Sequence, residues 1–85
     1  MGIYDFSETM RMIEDIHARG HGLRICKVKR GYVVSNSTTT CIGFLAPVSH
    51  DNVRDRLLEM RSIDRSVMTV EPYPDGSYAC EVVYQ

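Results

Sequence analysis

The 85-residue chain contains no tryptophan, two phenylalanines, three prolines, and three cysteines at wide spacing. Its apolar stretches, such as Gly43-Phe44-Leu45-Ala46, last a few residues, far short of the roughly 20 that cross a bilayer as a helix. A transmembrane helix is therefore excluded. Cys26, Cys41 and Cys80 include no close pair that could present two thiolates to zinc, and an odd number of thiols makes a poor disulfide framework. No charged-then-apolar leader precedes Phe6, so the expected compartment is the cytoplasm and the expected cysteines are free thiols. A strong net charge is missing as well. Ten Lys plus Arg against eleven Asp plus Glu leave −1, which lacks the global signature of a polybasic binder.

What remains is 44% hydrophobic and 25% charged residues in a chain shorter than a typical domain, which predicts one compact α+β domain over residues 1–85. Its core would be one layer deep, with no room for a buried cofactor, and none is expected. From about Asp5 to Arg19, Phe6, Met10, Ile13 and Ile16 recur at spacings of three and four, the stripe of an amphipathic helix. Asp5 and Glu8 form a capping-box-like start, and Gly20 supplies a stop. Leu23 to Ser35 then reads as a hairpin, with Cys26 and Val28 expected inward and Lys27 and Lys29 outward. A polar run leads to an expected third strand, Thr39 to Leu45, with Ile42 and Phe44 inward. Ser49 caps a second helix whose stripe is Val53, Leu57, Met60 and Ile63. Val67 to Glu71 and Ser77 to Tyr84 flank Tyr73-Pro74-Asp75-Gly76, in which proline presets φ, aspartate bonds its own backbone and glycine takes positive φ.

The predicted order is α-β-β-β-α-β-β. Short turns make neighbouring strands antiparallel, and two amphipathic helices need a common face to cover, so the expected architecture is an antiparallel sheet with two helices packed on one face. Two stretches also look alike: a capped helix, then a hairpin whose turn brings glycine close to tyrosine (Arg30-Gly31-Tyr32 and Asp75-Gly76-Ser77-Tyr78), each hairpin holding a cysteine, Cys26 or Cys80. Over residues 5–62 the element order resembles that of the double-stranded-RNA-binding domain. The second helix of that family opens with phosphate-gripping lysines, whereas Ser49-His50-Asp51-Asn52 stands here, so the resemblance brings no functional residues with it.

Chemistry-bearing patterns are sparse. His17 and His21 stand four apart, but Gly20 ends the helix between them, so no metal site is expected. Gly20-His21-Gly22 follows a helix and precedes a strand, the wrong polarity for a phosphate-cradling loop. The cysteines lie at apolar positions with no base at a telling spacing, and the paired carboxylates sit on solvent faces of helices. No catalytic residue, and no enzyme, is expected. Charge distribution is the one informative feature. Between Ile16 and His50 there is no acid, while Arg19, Arg24, Lys27, Lys29 and Arg30 give +5; from Ala46 on, four Arg against seven acids give −3.

Two functions follow. The first is a small non-catalytic protein-interaction module, an inhibitor or adaptor of the kind common among accessory proteins of bacteria, plasmids and phages. It would mask a surface of a larger protein partner, or pair with its own copy, through a sheet face or edge. The alternative is a nucleic-acid-binding module in which Arg24, Lys27, Lys29, Arg30 and Tyr32 of a basic hairpin contact phosphates and stack on a base. Against any ligand stands internal neutralisation, with the basic hairpin pairing to Glu71 and Glu81 of the last one.

Overall fold

The computed structural model describes residues 2–37 and 45–84. Ile3–Tyr4 forms a short strand, β1, and Asp5 turns the chain directly into α1, Phe6–Glu14. Asp5 closes a full capping box: its carboxylate accepts the Glu8 N–H at 2.8 Å and its own N–H donates to the Glu8 side chain at 3.0 Å. The expected single helix to Arg19 is divided. At Asp15 the amide N–H is shared between the Arg11 and Met12 carbonyls, both at 3.2 Å, and a four-residue piece, α2 (Ile16–Arg19), carries on to Gly20, which ends it at φ 78°. The buried stripe survives this break, because Thr9, Met10, Ile13 and Ile16 are all sealed.

Strands β2 (Leu23–Val28) and β3 (Gly31–Asn36) form the first hairpin around a two-residue turn, Lys29-Arg30. Ser49 caps α3 (His50–Met60), accepting the Asn52 N–H, and Val53, Leu57 and Met60 are buried while Ile63 is not. The second hairpin is β4 (Val67–Pro72) and β5 (Tyr78–Val83). Its turn forms as its sequence implies: Asp75 accepts the Ser77 N–H at 2.9 Å and Gly76 sits at φ 90°. The expected strand Thr39–Leu45, with Ile42, Phe44 and also Cys41, falls on residues 38–44, outside the described residues; Leu45 itself is in no strand.

All pairings are antiparallel, and the sheet runs β1-β3-β2-β4-β5. The halves meet at β2 and β4, where Leu23 lies opposite Val70 and Ile25 opposite Met68. α1 and α3 cover one face, and a single core cluster spans both halves, with Ile13, Ile16, Leu23, Ile25, Leu57, Met60, Met68 and Val70 at 0–1% exposure. Side chains of this kind contribute about 1.5–3 kcal/mol each when fully buried, so the shared core dominates the stability of the fold.

The expected likeness of the two halves has a structural counterpart. Asp5 and Ser49 cap equivalent helices 44 residues apart, and the same separation carries Thr9 to Val53, Ile13 to Leu57 and Ile16 to Met60, all buried. Tyr32 and Tyr78, each beside its hairpin turn, are both buried and both reach the other half's helices. The Tyr32 hydroxyl donates to the Leu57 carbonyl at 2.9 Å, and the Tyr78 ring meets His17 edge-on at 4.7 Å. The cysteines do not share in this likeness, since Cys26 lies on the uncovered face of β2 and Cys80 on the helix side of β5.

The phase of β2 is opposite to expectation. Leu23, Ile25 and Lys27 face the helices, while Arg24, Cys26 and Val28 face away. Each side of this strand holds two apolar residues and one cation, so alternation alone does not choose. The larger Leu23 and Ile25, sealed at 1% and 0% exposure, set the register, and Lys27 follows them inward. Its stem is buried and its amine escapes at the end of the sheet, donating to the Val28 carbonyl at 2.5 Å and pairing with Asp64 at 3.4 Å.

Candidate interaction surface

No described helix packs on the second face of the sheet, and strand register decides what that face displays. Ile3 lies opposite Val33, Val33 opposite Cys26, Cys26 opposite Val67, and Val67 opposite Val83. Directly opposed residues share a face, so each strand contributes one apolar side chain to a row that crosses the whole sheet. Its ends, Ile3 and Val83, lie on the two edge strands and are 53% and 48% exposed. The adjoining row is polar: Ser35, Arg24, Thr69 and Glu81, with the cation and the carboxylate both exposed. Farther along, Glu71 lies opposite Ala79, and burial pushes its carboxyl up from its ordinary range. One of its oxygens is buried without a hydrogen bond among the described residues.

Of the five sequence-predicted residues, Lys27, Lys29, Arg30 and Tyr32 line one cleft, and Arg24 lies apart from them. Arg24 is exposed on the open face, Lys29 and Arg30 form the β2–β3 turn, and Lys27 and Tyr32 lie on the helix side. Tyr32 is 2% exposed, so it is a core tyrosine with no ring face to offer a base. Burial pushes its hydroxyl up, an effect that the nearby Arg61 charge partly offsets. Glu71 and Glu81 do not neutralise the first hairpin. Among the described residues its one ion pair is Lys27–Asp64, and the others are His50–Glu14, His50–Asp51 and Arg54–Asp55. Lys29 and Arg30 instead share the wall of a cleft with Phe6, Ser7 and Arg61.

Two features escaped the sequence reading. The apolar row depends on pairings between strands distant in sequence, and Arg61, 25 residues beyond the end of the first hairpin, reaches its turn only through folding. Cys80 is unsuited to nucleophilic chemistry: it is 6% exposed and burial pushes its thiol up, against a smaller opposing effect of Arg56, which donates to the Cys80 carbonyl at 2.9 Å. Among the described residues no group of three or more His, Cys, Asp or Glu side chains is placed to hold a metal, and no helix is long and apolar enough to cross a membrane.

Fold and surface together define a small α+β domain with a five-stranded antiparallel sheet, one face of which carries no helix among the described residues. No family model, curated protein or solved structure matches the chain.

Proposed function

We propose that this protein is a non-catalytic binding module that works in the cytoplasm by laying the open face of its sheet on a larger protein partner, as an inhibitor or adaptor of the accessory-protein type. The observation that carries this reading is the row Ile3–Val33–Cys26–Val67–Val83: an apolar line from edge to edge, exposed at its ends and flanked by Arg24 and Glu81. Protein interfaces combine apolar contact with polar groups that fix orientation, and this face offers both: apolar Ile3 and Val83 at its edges and Arg24 and Glu81 along one side. Sheet edges add a second mode, since Ile3 and Val83 sit on the outermost strands, where another strand can pair.

The test is affinity capture from the source cell with three baits: the unaltered chain, Ile3→Asp/Val83→Asp, and Lys29→Glu/Arg30→Glu, each checked for folding by circular dichroism and run with and without nuclease. A protein retained by the first and third baits and lost from the second supports the sheet-face reading. Retention by the second bait overturns it. Material lost from the third bait and on nuclease treatment supports the nucleic-acid alternative, for which Lys29 and Arg30, in no ion pair among the described residues, speak. Sedimentation of the isolated protein identifies a second copy on the same face, because a self-dimer would dissociate in the Ile3→Asp/Val83→Asp variant.

A further inference from the structure

At the end of the sheet opposite the Asp75-Gly76 turn, a cleft of about 570 Å³ opens between the β2–β3 turn, the first turn of α1 and the end of α3. Lys29 and Arg30 enter it from the turn, Arg61 from the C-cap of α3, and Lys27 from its wall. The Arg61 guanidinium lies 6.0 Å from the centre of the Phe6 ring, at the outer limit of cation–π range. Of the acids, Asp5 lines the cleft with its carboxylate engaged by the Glu8 amide, and Asp64 stands behind, paired with Lys27. Lys29, Arg30 and Arg61 form no ion pair among the described residues.

Four cations (Lys27, Lys29, Arg30, Arg61) against two carboxylates (Asp5, Asp64) leave an excess of two positive charges around one concavity. Cations drawn from three elements repel one another, and an anion placed among them relieves that repulsion while accepting charge-assisted hydrogen bonds. We propose that this cleft binds a phosphomonoester: its charge of about −1.5 to −2 at neutral pH matches the local excess, whereas a backbone phosphodiester carries a single charge. The site is separate from the open sheet face and stands or falls independently of it.

The shared chemistry, a terminal phosphate, could be that of a free small phosphate ester or of the 5′ end of a nucleic acid strand, and the experiment separates the two. Amide spectra of the ¹⁵N-labelled protein are recorded at low ionic strength with inorganic phosphate, with a nucleoside 5′-monophosphate, and with one short oligonucleotide with and without its 5′-phosphate. Phosphate should move the Ser7, Arg30 and Gly31 amides, and the phosphorylated oligonucleotide should bind more tightly than its unphosphorylated twin if the end of a strand is the source. If the monophosphate binds as tightly as the phosphorylated oligonucleotide, the source is the small ester. Arg61→Gln and Lys29→Ala/Arg30→Ala, both at surface positions, should each weaken binding by about tenfold, the scale of one lost charge-assisted hydrogen bond. An absence of shifts with phosphate, equal binding of the two oligonucleotides that exceeds the monophosphate, or full affinity in Arg61→Gln would each overturn the proposal.

Discussion

Ile13 in α1 and Leu57 in α3 occupy equivalent places 44 residues apart, and both are fully sealed; the outward positions of the same two halves differ in sign and in kind. The first hairpin turns in two residues, Lys29-Arg30, and holds cations, while the second turns through Tyr73 to Ser77 and holds Glu71 and Glu81. Burial constrains the shared positions, because a core residue must fit its neighbours, whereas exposed positions cost little to change. The scaffold is therefore common to both halves, and the differences between them fall on the two surfaces proposed to act: the basic cleft, which the first half shares with Arg61 of the second, and the polar flank of the apolar row across both.

Substitutions at equivalent positions can break or sharpen this comparison. The largest contrast is expected at the turn glycines. Gly31 is at φ 152° and a Cβ there would stand 2.5 Å from the Tyr4 carbonyl oxygen, whereas Gly76 is at φ 90° with open space around it. Gly31→Ala should cost about 2–4 kcal/mol, through strain and displacement of β1, and Gly76→Ala about 1 kcal/mol, through strain alone. Urea denaturation measures both, and equal costs would show that β1 is not held at Gly31. A smaller contrast is expected at the paired tyrosines. Tyr32→Phe removes a buried hydrogen bond to Leu57 and should cost about 1–2 kcal/mol, while the Tyr78 hydroxyl makes no such bond among the described residues and Tyr78→Phe should cost less than half as much.

The smallest effect concerns Glu71, whose carboxyl is raised by burial above its ordinary value of 4.5. In the folded state it holds its proton to a higher pH than in the unfolded state, so stability falls as pH rises from about 4.5 through the folded value and stays lower above it. Glu71→Gln should remove that loss, raising the melting temperature at pH 7 and converging with the unaltered protein in acid. A variant less stable at pH 7 would mean that the charged oxygen has a partner there.

Much of the scaffold was legible because it depends on local chemistry. Asp5 with Glu8, Ser49, and Pro74-Asp75-Gly76 each act on backbone groups within a few residues, and each forms as read. The phase of β2 was not legible, since Leu23, Ile25 and Lys27 compete with Arg24, Cys26 and Val28 on nearly equal terms until the opposing helices are present. With that phase reversed, the basic array divides: Lys27 and Tyr32 turn inward to the wall of the cleft, Lys29 and Arg30 stay exposed at its mouth, and Arg24 is left on the other face. β1 is two residues long and carries no periodicity, yet it supplies one end of the apolar row.

That row has a geometric consequence for whatever lies on it. Five strands at about 4.8 Å spacing make it some 19 Å long, and it runs crosswise to every strand. A helix laid at right angles to the strands would cover it with about 13 residues. A sheet stacked in the common aligned manner, within about 30° of the strand direction, would need about as many strands as this one to cover the same row.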